Sequence, residues 1–285
     1  MGHPRSGTTN THKSVASIHS CVWTSQWDLI FPSLLTKYLT YHLRSAFHWI
    51  IFKYFIDSDD IKNHKFGIDE CQEEQFVLLH FFTGTTFAPG LIKGLHVSRD
   101  WLRAIVEEGA GADYQLNYIK KTIARSIYFQ GYTDETVYCG NPIQFCAIAP
   151  QLRKAFPHAK FIFCCRQPAE AYPSFMELHT IQNPPTRVDP FYIGLRQQFF
   201  HDFTVKMYRE MARFEGDDNC YWMEFCAWKR DAKYELAKIW TWLDWQFESK
   251  NLDIAMKRSE SHTNHASSFE IVPAETIKEH TDEFY

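Results

Sequence analysis

Apolar positions recur along the chain at two different spacings, and each spacing predicts one type of element. A spacing of three to four residues is typical of helices with one buried face, and continuous apolar runs are typical of buried parallel strands. The predicted helices cover residues 11–20, 27–56, 73–82, 99–108, 114–129, 142–155, 190–214 and 231–243, and the predicted strands cover 137–139, 160–165 and 220–225. Because helices and strands alternate, the pattern predicts an α/β protein with a central parallel sheet and helices on both faces.

The chain is predicted to form a single domain over residues 1–285. This length is sufficient for one sizeable hydrophobic core, and 45% of the residues are hydrophobic. No internal repeat and no linker interrupt the pattern. The polar segments 57–63 and 257–268 are predicted to be irregular.

A glycine-containing loop at the start of the chain is the clearest functional motif, and residues 2–9 read Gly-His-Pro-Arg-Ser-Gly-Thr-Thr. Glycine lacks Cβ, so successive backbone N–H groups of such a loop can point at one oxygen cluster. The frame G-x-x-x-x-G-x-[ST] is that of a phosphate-binding loop at the N-terminus of a helix. Nucleotide triphosphatases have lysine where this chain has Thr8, and the fixed cation here is instead Arg5. The loop therefore predicts a phosphate ester other than a nucleoside triphosphate.

A buried strand normally precedes such a loop and aims it, but here only Met1 precedes Gly2. We expect either that the chain is truncated at its N-terminus or that another segment fills the position of that strand. An empty central position leaves neighbouring N–H and C=O groups unpaired, at about 1–3 kcal/mol for each buried group. Added upstream residues are thus predicted to raise stability and ligand affinity.

Two segments resemble the signatures of sulfotransferases that use 3′-phosphoadenosine 5′-phosphosulfate (PAPS). Residues 4–9, Pro-Arg-Ser-Gly-Thr-Thr, resemble the 5′-phosphosulfate loop of that family. Residues 152–162 are similar to its L-x-x-x-F-P-x-A-K-F-I segment, which leads to Arg166 and Ser174 at the 3′-phosphate site. Residues 69–76 are similar to an acidic segment of the bacterial-like and lower-eukaryote branch. The resemblance implies a P-loop-like, three-layer α/β fold and transfer of a sulfuryl group to a hydroxyl or amine acceptor.

The resemblance also implies roles for individual residues. The residues that would hold the 5′-phosphosulfate are Arg5, Ser6, Gly7, Thr8 and Thr9, and those that would hold the 3′-phosphate are Arg166 and Ser174. Arg5 is in addition a predicted catalytic residue, because a fixed cation there stabilises charge on the leaving oxygen. The alternatives are a solvated Arg5 and an Arg166 that pairs with Glu170 four residues on.

A carboxylate is predicted to take the proton of the acceptor, and the candidates are Glu73 and Glu74. Adjacent residues of a helix point in different directions, so at most one of the two serves. The alternative is a solvated acidic start of a helix. The weaker candidates are Asp69, Glu70, His12 and His19. No metal ion is implied, because the loop and the arginines neutralise the charge of the transferred group.

One position departs from the family pattern. Residues 139–142 read Cys-Gly-Asn-Pro, whereas many members have lysine in place of Gly140. Losing such a contact to the leaving oxygen costs about 10²–10³ in rate. A catalytically weakened or inactive protein that binds a nucleotide or a membrane surface is therefore one alternative. A P-loop kinase of a small molecule is another, although no clear magnesium-binding aspartate follows a strand.

Composition narrows the range of partners. The net charge of −4 and the pI of about 6.4 argue against a nucleic-acid-binding protein, so any anion site has to be local. The eight cysteines have no paired C-x-x-C spacing. Buried free thiols are predicted and a zinc site is not, and disulfide pairing stays open.

Residues 38–56 are rich in aromatic and aliphatic side chains but contain four basic or histidine residues, so they are a poor transmembrane span. They are predicted to form either a core helix or a helix that contacts a membrane surface. The aromatic residues that would line an acceptor pocket suit a small molecule, a glycan or a lipid equally; they are Trp49, Phe52, Phe81, Phe82 and Phe87. The compartment stays open between cytoplasmic and membrane-associated, Golgi-like if an anchor precedes residue 1.

Overall fold

The computed structural model of the protein describes residues 1–18, 21–54, 68–69, 71, 73–74, 111–132, 136–182 and 190–259. The α-helices of this part are Thr8–Val15 (α1), Gln26–Ile30 (α2), Leu34–Thr40 (α3), Arg44–Tyr54 (α4), Ala112–Gln130 (α5), Ala149–Ala155 (α6), Pro168–Gln182 (α7), Pro190–Ala212 (α8), Phe225–Arg230 (α9), Ala232–Trp242 (α10) and Ser249–Ser259 (α11). The strands are Cys21–Val22 (β1), Val137–Tyr138 (β2), Phe161–Cys165 (β3) and Cys220–Glu224 (β4), and the 3₁₀ helices are Tyr41–Leu43 and Ile143–Ile148. The predicted helix 99–108, most of helix 73–82 and the segment 57–63 lie outside the described residues.

The strands pair in parallel, as two separate two-stranded ladders in the described part of the chain. β1 pairs with β2, where Cys21 lies opposite Val137. β3 pairs with β4 over its whole length, beginning with Phe161 opposite Cys220. Parallel strands with helical connections are the arrangement of an α/β fold, so the predicted class is confirmed. The sequence pattern does not predict β1, because two residues are too short to show a spacing.

The first two residues lie beside β3, in the position that a strand before the loop would take. The N-terminal amino group donates to the Ile162 carbonyl at 2.7 Å, and the Cys164 N–H donates to the Met1 carbonyl at 2.8 Å. Gly2 forms a parallel bridge with Cys164. β3 therefore has backbone partners on both edges at this point, and the glycine loop starts from a fixed position along the strand.

The predicted helix 27–56 is divided into three α-helices and a 3₁₀ turn. Ser25 caps α2 in a capping box with Asp28, so the first helix begins with its own N-terminal signal. Pro32 has no N–H and cannot continue the hydrogen-bond ladder, so α2 ends before it. The start and the end of α2 therefore depend on local sequence signals, the Ser25 cap and Pro32, and not on tertiary packing alone.

Three other boundaries differ from the prediction. The predicted helix 142–155 begins as the second 3₁₀ helix and becomes α6 at Ala149, where Pro150 fits the first helical turn. α1 begins at Thr8 rather than at residue 11, with Gly7 as its N-cap. α11 extends to residue 259 and overlaps the predicted irregular segment.

Alternate side chains of β3 pack in two separate hydrophobic clusters. The strand is thereby held on both faces, including its carboxyl end. Phe161 and Phe163 pack in one cluster with residues of α5, α8 and the second 3₁₀ helix. Cys164 packs in the other cluster with Trp240 of α10. A strand points successive side chains to opposite faces, so this apolar run is buried on both. Arg166 follows at the carboxyl end.

The buried Lys37 side chain fixes α3 to α2 through an ion pair and to α5 through a hydrogen bond. The Lys37 ammonium contacts the Asp28 carboxylate and donates to Ser126 Oγ at 2.8 Å, and the lysine is fully buried. Burial lowers the pKa of Lys37, and the Asp28 charge opposes that shift. Because α3 turns Lys37 inward, positions on the opposite side of this helix point to solvent.

All eight cysteines are free thiols, which answers the question that the spacing left open. Most of them are buried, as predicted, and Cys226 is exposed. Cys21, the first residue of β1, has its Sγ 3.1 Å from the Sγ of Cys139, which follows the last residue of β2. In the described part of the chain, no three His, Cys, Asp or Glu side chains are grouped so that they could hold a metal ion.

We predict that alanine at Gly2 destabilises the protein more than alanine at Gly216. Both glycines have positive φ, 152° and 81°, so alanine is strained at both, by about 1–2 kcal/mol. A Cβ at Gly2 would in addition lie 2.4 Å from the Cys164 carbonyl oxygen, whereas a Cβ at Gly216 would meet nothing within 4 Å. The close contact adds about 1–3 kcal/mol. Urea denaturation of both variants measures the difference, and equal losses would show that the start of the chain is not seated on β3.

Candidate functional site

The glycine loop and the start of α1 form a turn that presents backbone N–H groups. The Ser6 N–H donates to the His3 carbonyl at 3.1 Å, and the chain then enters α1 through Gly7, which has φ 81°. Thr8 is buried and Thr9 is half-buried at the first two positions of α1. This helix has no side-chain N-cap and no acidic residue in its first turn. Its first N–H groups and the positive end of its dipole therefore suit an anion.

Arg5 has a left-handed backbone, with φ 69°, which is rare for a residue other than glycine. Two bonds hold it in place. Arg166 Nη1 donates to the Arg5 carbonyl at 3.0 Å, and Arg5 Nε donates to Ser174 Oγ at 3.0 Å. The predicted 5′ and 3′ sites thus share direct contacts, although Arg5 and Arg166 are 161 residues apart in the chain. Such backbone strain, of about 1–3 kcal/mol, concentrates at functional sites.

The two guanidinium groups of this cluster lie close enough for the charge of one to affect the other. Burial lowers the pKa of Arg5, the nearby Arg166 lowers it further, and Glu177 opposes the shift. Arg166 lies over the Phe225 ring, 4.9 Å from its centroid, and its Nε donates to Glu170 at 3.2 Å. Pairing with Glu170 was the alternative to a role of Arg166 in the site. Arg166 makes this pair and the bond to the Arg5 carbonyl at the same time. A buried cation beside a second cation favours the binding of an anion.

Two residues of α8 that sequence reasoning missed support the loop. Tyr208 Oη donates to the Arg166 carbonyl at 2.5 Å, and the His3 ring stacks on Tyr208. His3 Nδ1 lies 2.6 Å from the Pro4 carbonyl, which can only accept, so Nδ1 carries the proton and Nε2 accepts from Thr204 Oγ1 at 2.9 Å. Burial lowers the pKa of His3 to about 4 and raises that of Tyr208 to about 12. Both side chains are therefore neutral near pH 7.

A second cluster surrounds Glu74, near the carboxyl ends of β1 and β2. Tyr138 Oη donates to Glu74 Oε1 at 2.6 Å, and the Asn141 N–H donates to Oε2 at 2.8 Å. Thr24 Oγ1 donates to Oε1 at 3.3 Å. Burial raises the pKa of Glu74, and these donors oppose the rise. The half-buried Glu73 has a pKa raised to about 8 by burial and by the charge of Glu74.

The Glu74 carboxylate fits here because Gly140 has no side chain. The glycine is exposed, and a Cβ there would lie 2.9 Å from Glu74 Oε1 and 3.0 Å from the Tyr138 ring. A lysine at this position would therefore displace Glu74 from its hydrogen bonds. The departure from the family pattern removes a cation and admits a carboxylate.

α1 connects the two clusters. His12 lies four residues after Thr8, about 6 Å along the helix. Its Nε2 donates to the Cys139 carbonyl at 3.0 Å, next to Gly140. Burial lowers the pKa of His12 to about 4, so the ring is neutral and serves as a hydrogen-bond donor. One helix therefore joins the end of the glycine loop to the backbone of residues 139–141, which binds the Glu74 carboxylate through the Asn141 N–H.

The predicted site residues fall into these two clusters. The first contains Arg5, Ser6, Gly7, Thr8, Thr9, Arg166 and Ser174, and the second contains Glu74 with Glu73 beside it. The weaker candidate Asp69 is largely exposed and lies 3.6 Å from Arg44. Glu70 and His19 lie outside the described residues.

Parallel strands, a glycine loop at a helix N-terminus and two cations beside it define an α/β protein with a local site that suits an anionic group. The chain belongs to the sulfotransferase family, since a family model described as Sulfotransferase family matches residues 1–249. The reaction of this enzyme is therefore sulfuryl transfer from a sulfate donor, and membership of this family argues against a small-molecule kinase.

Solved structures of two mycobacterial sulfotransferases have a similar fold. Sulfotransferase STF9 from Mycobacterium avium has a TM-score of 0.72 and 17% identity, over 100% of this chain and 74% of that one. Sulfotransferase STF1 from Mycobacterium tuberculosis H37Rv has a TM-score of 0.59 and 14% identity, over 98% of this chain and 74% of that one. No curated protein matches this sequence significantly. The structural similarity confirms the predicted P-loop-like α/β fold.

We predict that Gly140→Ala slows sulfuryl transfer by displacing the Glu74 carboxylate. A misplacement of about 1 Å in a reacting group costs about 10²-fold in rate. Initial rates with labelled donor measure the effect. In a Glu74→Gln background the same alanine should cause little further loss, because the group that it displaces is already gone. An equal loss in both backgrounds would contradict the coupling between these two residues.

Proposed function

We propose that the sulfate donor is PAPS and that it extends from the glycine loop to Arg166 and Ser174. The contact between Arg5 and Ser174 carries this proposal, because it brings the two predicted phosphate sites within the length of one nucleotide. Residues 6–9 and the N–H groups at the start of α1 would bind the 5′-phosphosulfate. Arg166 and Ser174 would bind the 3′-phosphate through a charge-assisted bond and a hydroxyl donor.

The chemistry of the loop fits this donor. Burial and Arg166 both disfavour the charge on Arg5, and a bound anion would compensate for both effects. The first turn of α1 has no acidic residue that would repel such an anion. Thr8 stands where a triphosphate-binding loop has lysine, which fits a donor without a β- and γ-phosphate.

The proposed reaction moves a sulfuryl group in line from the phosphosulfate to an acceptor oxygen or nitrogen. A bond forms between the acceptor atom and sulfur, and the bond between sulfur and the bridging oxygen breaks. The acceptor loses its proton to a base, and the electron pair of the broken bond stays on the bridging oxygen. Arg5 and the N–H groups of α1 stabilise the charge on that oxygen. The products are a sulfated acceptor and 3′-phosphoadenosine 5′-phosphate.

Glu74 is the proposed base. Its carboxylate is held by donors at the ends of two strands, and it lies against the exposed backbone of Gly140. Burial raises its pKa toward the range in which a carboxylate is an effective base near neutral pH. Glu73, with a pKa of about 8, is the second candidate. Hydrogen bonds that fix the carboxylate before the acceptor arrives favour Glu74.

The acceptor is proposed to be a small molecule with a hydroxyl or amine group. Trp49, one of the aromatic residues predicted to line its pocket, is more than half exposed. The side chains of Phe52, Phe81, Phe82 and Phe87 lie outside what the structure describes. Glycan and lipid acceptors therefore stay predictions, as does the cytoplasmic or membrane-associated location.

A nucleotide-binding protein without transfer activity is the second candidate function. Gly140 favours it, because the lysine that would reach the leaving oxygen is absent. Incubation with labelled PAPS and a panel of phenols, sugars and amines separates the two functions. Transfer of the label to any acceptor would refute the hypothesis that the protein is inactive.

We predict that the protein binds 3′-phosphoadenosine 5′-phosphate more tightly than ATP and that Ser174→Ala weakens this binding by about 10- to 100-fold. A hydrogen bond to a charged group contributes about 1.5–3 kcal/mol, which corresponds to that change in affinity. Adenosine 5′-phosphate, which lacks the 3′-phosphate, is the matched control, and its affinity should change little. Calorimetric titration measures both ligands. A preference for ATP, or equal losses for the two ligands, would overturn the assignment of the 3′ site.

We predict that kcat rises with pH along an acidic limb that lies above the ordinary glutamate pKa. Burial raises the pKa of Glu74, so below that raised value the carboxyl is protonated and cannot accept a proton. Glu74→Gln should lower kcat by about 10²- to 10⁴-fold and remove the limb. Glu73→Gln is the matched control, and it should retain both rate and limb. If only Glu73→Gln lost the acidic limb, Glu73 rather than Glu74 would be the base.

A further inference from the structure

An apolar face runs along the outer side of α3, the first 3₁₀ helix and α4. We call it the outer face, and its residues are Leu35, Tyr38, Leu39, Tyr41, Leu43, Trp49 and Ile50. Leu35 and Leu39 are 69% and 68% exposed, and Trp49 is 58% exposed. Most of these positions recur three to four residues apart, so they share one side of consecutive helical turns. A surface of this kind usually marks a contact with a partner.

The inner side of the same helices already has its partners. Lys37 is buried against Asp28 and Ser126, and the Phe47 ring packs against Trp27 and Phe31. The helices are therefore anchored through their inner side, and the outer face is not a displaced part of the core. The predicted core helix is correct for one side of this segment only.

The C-terminal end of α5 enlarges the outer face. Phe129 packs against Tyr38 and Tyr41, and the neighbouring Tyr128 is 69% exposed. Tyr132, one turn further on, is also exposed. Tryptophan and tyrosine with an apolar body and a polar tip are the side chains that favour the interface between water and lipid.

The two segments that form this surface carry no negative charge. Residues 29–56 and 114–133 contain no Asp or Glu, although the whole chain has a net charge of −4. They contain six cations, namely Lys37, Arg44, Lys53, Lys120, Lys121 and Arg125. Lys37 is paired internally, Arg44 lies 3.6 Å from Asp69, and Lys120 donates to the Ala155 carbonyl. Lys121 and Arg125 lie three to seven residues before Tyr128, on the same side of α5 as this exposed tyrosine, and they supply positive charge there. Such a distribution complements an anionic surface.

We infer that the outer face binds the surface of a bilayer that contains anionic lipids, with its apolar side chains in the headgroup region. None of the helices in the described part of the chain is long and apolar enough to cross a bilayer. A second copy of the chain is the competing occupant, but a symmetric contact would bring two acid-free, basic segments together. Like charges oppose that contact, whereas anionic headgroups favour the membrane.

Sedimentation with vesicles tests this inference. The full-length protein should sediment with phosphatidylcholine vesicles that contain about 30% phosphatidylserine and much less with phosphatidylcholine alone, because each cation near an anionic surface adds attraction. The triple variant Leu35→Ser, Leu39→Ser and Leu43→Ser, which leaves the predicted acceptor-pocket residue Trp49 intact, should partition at least about tenfold less. The matched control is Val205→Ser, Tyr234→Ser and Ile254→Ser, which removes three exposed apolar side chains elsewhere and should bind as the wild type does.

A single substitution tests the same inference in case the triple variant does not fold. Ser45→Glu adds one carboxylate at an exposed position of α4 and should weaken binding to the anionic vesicles while the thermal midpoint stays unchanged. No sedimentation of the wild type, or equal losses in the two triple variants, would overturn the inference. A lipid-free dimer that the first triple variant converts to a monomer would assign the face to a second copy instead. Transfer to a soluble acceptor should be unaffected, so failure here leaves the proposed donor site untouched.

Discussion

The bond from the Arg166 guanidinium to the Arg5 carbonyl is the constraint on which the site depends. A left-handed arginine is unfavourable by itself, and here it is held at its carbonyl by Arg166 and at its side chain by Ser174. Arg166 is in turn fixed, because it follows a strand that is buried on both faces and because Tyr208 binds its carbonyl. The hydrophobic core around β3 therefore determines the shape of a loop at the other end of the sequence.

The site also separates two opposite electrostatic environments. One environment contains two cations and a helix N-terminus, which in the proposed reaction stabilise the charge on the leaving oxygen. The other contains the Glu74 carboxylate with its raised pKa, which in the proposed reaction takes the proton of the acceptor. α1 joins them, since its first turn carries the loop and His12 binds the backbone beside Gly140. In the proposed reaction, this arrangement provides both a group that stabilises the leaving oxygen and a base for the acceptor.

The sequence predicts best what depends on local spacing. Arg5, Arg166 and Ser174 could be selected as candidate site residues because each lies at a fixed distance from a glycine loop or from an apolar strand. Their mutual contact could not be found, because it depends on how α7 packs beside the loop. Tyr208 was missed for the same reason, since one tyrosine in a regular helix has no distinctive spacing.

Other outcomes depended on long-range contacts. The sequence shows at Gly140 only a missing lysine, whereas the structure shows a carboxylate that needs the space. From the sequence, Glu73 and Glu74 are equally good candidates for the base. In the structure they differ, because Tyr138 and Asn141 donate hydrogen bonds to Glu74. Helix 27–56 was predicted too long although Pro32 marks a break, so in that case the local signal was present.

The most direct measurement is a crystal structure of the protein with 3′-phosphoadenosine 5′-phosphate. We expect the 5′-phosphate at the N-terminus of α1 beside Arg5 and the 3′-phosphate on Arg166 and Ser174. A nucleotide bound elsewhere, or one whose 3′-phosphate points to solvent while Arg166 keeps only its contact with the loop, would contradict it.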